Sequence, residues 1–316
     1  MIRRNMTCRW PMMAVAVCAC IAADAIAQEP ASLALIADVS SSSDSDGFRS
    51  TTIRTGALPT YANPWRYSGV VAQSTHYGQG DFGKDVAAVL GIYRDQRKDT
   101  LAGINVEAGV ARVSGHLRAV GEMNLRMTTT LSTSVDLIAS AGLVETPKGI
   151  DRAIGHTFLA AALEHPFNER LTITALAGWQ HFTDGNSRTH LRARLIWLAV
   201  PEAGITLQIR HRQFRSRKAE VDRAYFNPVN YQQWLGVAAM RKRHAGWIFS
   251  GAIGAGQEDS TGTGARPSTL AELRAEGPLT DIARLAVHAS YSRSAGYVDD
   301  PDYASRVVGV SVILPF

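Results

Sequence analysis

The chain has 316 residues but only three cysteines, Cys8, Cys18 and Cys20, all within its first 20 positions. Beyond them there is no thiol, which excludes a disulfide framework and a cysteine metal site. Long apolar runs are scarce too. After residue 27 no stretch nears the roughly 18–20 apolar residues that a membrane-spanning helix needs. No H-E-x-x-H pair, carboxylate-rich calcium loop or phosphate-cradling glycine motif occurs. Gly251, Gly254 and Gly256 precede no helical pattern and read as close packing or curvature in a strand. No metal or organic cofactor is implied. Nor does one charge dominate, with 33 basic against 28 acidic residues, so no nucleic-acid partner is expected.

The first residues carry Arg3, Arg4 and Arg9, an apolar run over 12–23, and Ala25-Ile26-Ala27 before Gln28. Basic region, apolar core and A-x-A site together read as a cleaved signal peptide over 1–27. The run is too short for a membrane anchor. Lipid attachment at Cys20 is the alternative, but the usual preceding Leu and following small residue are missing. What remains, 28–316, reads as one domain.

That domain alternates. Leu171, Ile173, Ala175, Ala177 and Trp179 fall on one face, Thr172 and Thr174 on the other. Leu191, Ala193, Leu195 and Trp197 oppose His190, Arg192 and Arg194; Leu207 and Ile209 oppose Gln208, Arg210 and Arg212. On 116–126, Arg118, Glu122, Asn124 and Arg126 oppose Leu117, Met123 and Leu125. A period of two demands strands, and charge on the second face demands water there. In lipid such strands must close on themselves, because an open edge leaves N–H and C=O groups unpaired. The expected fold is an all-β, antiparallel transmembrane barrel of a Gram-negative outer membrane. Its strands are placed at 31–40, 48–57, 65–76, 82–95, 100–111, 115–126, 130–144, 152–164, 170–182, 188–199, 204–216, 231–242, 246–257, 268–276, 281–294 and 303–316, sixteen in all. An even number puts both termini at the periplasmic end. Long outer connections are then expected at 40–47, 76–81, 145–151, 217–230, 257–267 and 294–300. Short turns are expected at 97–99, 166–169, 201–203, 244–246 and 277–280. The short link near 112–114 is anomalous for an outer loop.

The last strand places Val308, Val310, Val312, Leu314 and the terminal Phe316 on one face. An apolar face ending in an aromatic resembles the signal read by the outer-membrane barrel assembly machinery, an expected partner beside outer-membrane lipid. Arg192, Arg194, Arg210 and Arg212 should cluster on the inner wall. A one-residue slip would put them in hydrocarbon at roughly 2–4 kcal/mol each. Such a cluster would attract anions, or it would be neutralised by lumen acids such as Glu107, Glu122 and Asp136. Trp65, Trp179, Trp197, Trp234 and Trp247 read either as an interfacial girdle or as a sugar-stacking platform. His288 and Ser290 resemble the catalytic pair of outer-membrane phospholipases, but no Asn follows in 297–316 to complete a triad, and alternation puts the pair on the lumen face. No enzyme activity is expected.

Residues 225–242 read YFNPVNYQQWLGVAAMRK, followed by GWIFSGAIGAGQ at 246–257 and LAVHASYSRSAG at 285–296. Over about the last 90 residues this resembles YaiO-type outer-membrane barrels and the barrel of poly-β-1,6-N-acetylglucosamine export porins, in which an aromatic-aromatic-x-Pro-x-x-Tyr loop precedes a strand. The matching residues are Tyr225, Phe226, Pro228 and Tyr231. The resemblance implies exopolysaccharide secretion across the outer membrane during biofilm matrix formation, with a periplasmic or inner-membrane polysaccharide synthase complex as partner. Full exporters carry a periplasmic tetratricopeptide region, and 28–40 cannot supply one 34-residue repeat. A general or structural porin is the alternative function. A barrel enzyme acting on lipid or surface glycan is a third.

Overall fold

The computed structural model describes residues 33–129, 132–219, 221–297 and 300–316. The expected signal peptide, 1–27, lies outside them. The described residues form sixteen strands. The first eight are β1 (Ala34–Asp44), β2 (Arg49–Asn63), β3 (Arg66–Gln79), β4 (Phe82–Gln96), β5 (Gly103–Val113), β6 (His116–Thr128), β7 (Ser134–Leu143) and β8 (Gly155–Pro166). The other eight are β9 (Leu171–Phe182), β10 (Ser187–Val200), β11 (Ile205–Ser216), β12 (Asn230–His244), β13 (Trp247–Ser260), β14 (Gly264–Pro278), β15 (Arg284–Tyr297) and β16 (Asp300–Pro315). Each pairs antiparallel with its chain neighbours, and β1 pairs with β16 from Ala34↔Pro315 to Asp44↔Ser305, closing the barrel. Closure leaves no edge to satisfy in lipid. No helix among the described residues is long and apolar enough to cross a membrane.

Outward positions are apolar and uncovered by protein: Leu117, Ile253 and Leu273 are each at least two-thirds exposed. In water such a belt would be costly at about 25 cal/mol per Å², so the lipid of the outer membrane completes the burial. Trp179, Trp197 and Trp234 share this outward face. Trp197 lies near the terminus-side end of its strand, and Trp179 and Trp234 lie toward the opposite end. That is a girdle arrangement. Trp65 sits in the turn between β2 and β3.

The strand ladder is longer than the composition implied. β1 continues through Ser40–Asp44, and the expected loop 257–267 shrinks to three residues, 261–263. Ser, Gln and Asp are ordinary strand residues where a barrel rises above the lipid and both faces are wet. The anomalous link is a two-residue hairpin, with Ser114 and Gly115 at φ 45° and 81°. These left-handed values match the strand twist and need no loop. Ala245 and Gly246 repeat this turn at the other end, at φ 48° and 80°.

The inner wall is not uniformly polar. Val86, Ala88 and Leu90 of β4 pack with Ala111 and Val113 of β5 under Phe48, Ile150 and Ala153 from the connections. A second apolar cluster joins Ala34, Leu58, Tyr61, Val71 and Ile92. Two connections at the end opposite the termini fold inward. Residues 144–154 carry the short helix α1 (Pro147–Asp151), started by Pro147 and capped by the Thr146 hydroxyl, which accepts from the Gly149 N–H at 3.0 Å. Residues 217–229 meet this segment: Val144 and Ile154 pack with Phe182, Ala224 and Tyr225. Ser114 Oγ and Arg118 Nε donate to the carbonyls of Ile150 and Ala153, pinning the first segment to the wall.

Candidate functional site

The barrel interior holds a tiered arrangement on β8 to β12. Below the inward connections lies an aromatic arc. The Phe158 ring crosses over Gly178, where a Cβ would come within 2.7 Å of it, and meets His190 edge-on at 5.4 Å. Phe214 follows at 5.7 Å from His190, then Tyr231 stacked on Phe214 at 4.8 Å. Tyr231 donates to Glu258 at 2.6 Å, and Gln233 donates to the same carboxylate oxygen at 3.0 Å.

The loop motif seats itself on this arc. Tyr225 stacks on Phe182 at 4.6 Å, its hydroxyl donating to Asp184 at 2.8 Å and accepting from Asn186 at 3.1 Å. Burial pushes the Tyr225 phenol up, the Asn186 hydrogen bond opposing. Phe226 meets Tyr231 edge-on; Pro228 is half-buried. Arg188 fastens the assembly. Its guanidinium lies 4.7–5.2 Å from the Phe182, Phe214 and Tyr225 ring centroids and donates to the Phe226 carbonyl and to Asn227 Oδ1. Such stacked, charge-assisted contacts contribute on the order of 1–3 kcal/mol.

Beneath the arc stands the arginine wall. Arg192 lies directly opposite Arg212 and Arg194 directly opposite Arg210, all on the face of β10 and β11 turned from Leu191, Leu195, Leu207 and Ile209. Arg192, Arg194 and Arg212 are exposed although they point into the barrel, so water reaches them there. Arg210 has Glu272 at 3.7 Å. Among the described residues no carboxylate lies within salt-bridge distance of the other three. The lumen acids serve other arginines: Glu107 bonds Arg54 at 2.7 Å, and Asp136 and Glu164 hold Arg126 at 3.3 and 2.9 Å.

The structure therefore brings four of the six predicted lumen residues together. Arg118 and Glu122 lie on β6, four strands from β10. There Glu122 faces Glu107 across the ladder and Arg118 holds Ala153. Val312 and Leu314 sit on the outward face with Val308 and Val310, and Phe316 is 61% exposed, its N–H donating to the Leu33 carbonyl. His288 and Ser290 register against Arg274 and Glu272, on the lumen face and away from lipid. The arc itself escaped sequence reasoning. Its signal in the sequence is aromatics at polar-face positions, Phe158, Phe182 and Phe214, in line with the motif residue Tyr231.

No family model matches the chain, and no curated protein matches it. Among solved structures, a bacterial polysaccharide outer membrane secretin superposes with a TM-score of 0.65 at 12% identity, covering 91% of this chain and 100% of that one. The outer membrane protein OprD from Pseudomonas aeruginosa gives 0.44 at 13% identity, covering 91% and 94%. The KdgM porin, solved in complex with disordered oligogalacturonate, gives 0.34 at 7%, covering 89% and 99%. The last two superpose too loosely to carry an argument. The chain is a sixteen-stranded barrel of the Gram-negative outer membrane, similar in fold to the polysaccharide secretin.

Proposed function

We propose that this barrel takes part in the secretion of an exopolysaccharide across the outer membrane. The observation that carries the reading is the water-exposed arginine wall on β10 and β11, a row of hydrogen-bond donors along the inside of the barrel. Support comes from the fold likeness to the polysaccharide secretin and from the loop motif Tyr225, Phe226, Pro228 and Tyr231. A polysaccharide synthase complex on the periplasmic or inner-membrane side and the barrel assembly machinery are the partners this role calls for. Deleting the gene should remove matrix polysaccharide from the cell surface and leave it in the periplasm, read by staining. A normal matrix overturns the proposal.

A general porin is the second reading, favoured by the inward fold of 144–154 against β4 to β6, which narrows the passage. Liposome swelling separates the two: a porin admits small neutral sugars at rates set by their size.

A further inference from the structure

We infer that Arg192, Arg194, Arg210 and Arg212 form a binding track for an acidic glycan, one whose sugar residues bear carboxylates. This rests on reading the barrel as a polysaccharide conduit and names the class of cargo. Like charges directly opposite one another destabilise a strand pair, and here two such rungs are stacked, Arg192↔Arg212 and Arg194↔Arg210. The fold has acids in the lumen, yet Glu107, Asp136 and Glu164 are placed against Arg54 and Arg126. Among the described residues Glu272 is the acid within salt-bridge distance of the wall, at 3.7 Å from Arg210. Glu164 and Glu258 act on Arg194 and Arg212 from farther off, and Arg212 lies over the Tyr231 ring at 5.6 Å, which leaves the wall under-neutralised. A repeating anion supplies the missing neutralisation. Planar guanidinium groups pair with carboxylates bidentately, a match that ammonium groups do not give.

Geometry favours a chain over a single ion. Successive rungs on one face lie about 6.8 Å apart along the strands, too far for one carboxylate to reach both and within the span of neighbouring groups on a chain. Leu176, partly exposed, lies opposite Arg192, giving an apolar flank for the C–H face of a ring. Above the rungs, Arg188 is already engaged by Phe226 and Asn227. The free track therefore starts below the inward connections and is reached from the end where the termini lie.

The test is titration calorimetry of the detergent-solubilised full barrel with oligogalacturonate, neutral chito-oligosaccharide and its deacetylated, cationic form, beside the reversal potential in a potassium chloride gradient. Oligogalacturonate should bind, weakening as salt screens the charges, and the other two should not; the pore should favour chloride. Arg192→Gln with Arg212→Gln, or Arg194→Gln with Arg210→Gln, should weaken binding about tenfold, whereas Lys at the same four positions should keep chloride selectivity and lose part of the affinity. Heat-modifiable gel mobility reports assembly, and the single variant Arg194→Gln serves if a double variant does not assemble. Equal binding of the neutral glycan, or unchanged binding by an assembled Gln variant, overturns the inference. A normal matrix in the deletion strain with oligogalacturonate binding intact overturns the secretion reading alone.

Discussion

Asp222, between β11 and β12, accepts a hydrogen bond from Arg152, which lies 70 residues earlier between β7 and β8. Lys148 adds its charge at 3.6 Å and donates to the Asp222 carbonyl at 2.8 Å. These exposed groups clasp the two inward connections, whose apolar contact is small. The clasp should therefore govern local opening and not barrel stability. Asp222→Asn should speed proteolysis within 217–229 and leave thermal unfolding of the barrel unchanged; equal proteolysis of both forms contradicts this.

The same carboxyl carries a pH dependence. The Arg152 hydrogen bond, followed by the Lys148 and Arg152 charges, holds the Asp222 pKa below the usual carboxylate value. A lowered acid pKa stabilises the docked form above the undocked pKa, and this contribution is lost as pH falls through the docked value. Proteolysis of 217–229 should accelerate at acid pH in the native chain and be flat over that range in Asp222→Asn.

Glu145 acts with the opposite sign. Enclosure within the barrel raises its pKa although water reaches the side chain, against the hydrogen bond it accepts from Tyr77 at 3.1 Å. A raised acid pKa gives stability that is full below the undocked value and lost as pH rises through the docked one. Docking of 144–154 should weaken as pH rises from the ordinary carboxylate pKa through the docked one, and Glu145→Gln, which stays neutral, should abolish that weakening. Amide hydrogen exchange across 144–154, corrected for intrinsic rates, measures it; an unchanged pH dependence in Glu145→Gln removes Glu145 as its cause.

Strand number and the facing of Arg192, Leu195, Arg210 and Ile209 were legible because alternation of charge with large apolar groups admits one register. Two features were not. β4 reads Val86-Ala87-Ala88-Val89-Leu90-Gly91-Ile92, apolar on both faces, so its inward packing under Phe48 and Ile150 leaves no periodic trace. The aromatic arc depends on Phe158 reaching His190 across Gly178, a contact between strands that are not neighbours. Only the closed register supplies it. The pairing of Arg54 with Glu107 and of Arg126 with Glu164 was invisible for the same reason, whereas Asp136 is the direct cross-strand partner of Arg126 on β7.

Placement of 217–229 makes a labelling prediction. Arg217, Lys218, Ala219, Asp222 and Arg223 are exposed, whereas Tyr225 is buried against Phe182; Glu220 lies outside the described residues. In a chain whose own cysteines are confined to the first 20 positions, Ala219→Cys should react with an impermeant maleimide on intact cells and Tyr225→Cys should react far more slowly. Labelling of Ala219→Cys only after permeabilisation would invert the barrel in the membrane.

Phe316 touches little of its own protein, which makes its deletion informative. Its side chain is 61% exposed on the lipid face, and its backbone N–H donates to the Leu33 carbonyl at 2.8 Å. The ladder of β1 with β16 is complete without it, ending at Ala34↔Pro315. Losing one ring from the lipid belt and one terminal hydrogen bond costs little of the burial that sixteen strands provide. The finished barrel should therefore keep its heat-modifiable mobility and its resistance to unfolding. The proposed assembly role nonetheless predicts that the amount reaching the outer membrane falls severalfold, since recognition of a terminal aromatic beside Leu314, Val312 and Val310 would act before the barrel closes. Phe316→Tyr should restore the yield and Phe316→Ala should not. If deletion lowers unfolding resistance in step with yield, the residue serves the folded barrel; if yield is unchanged, the assembly role assigned to Phe316, Leu314 and Val312 is wrong.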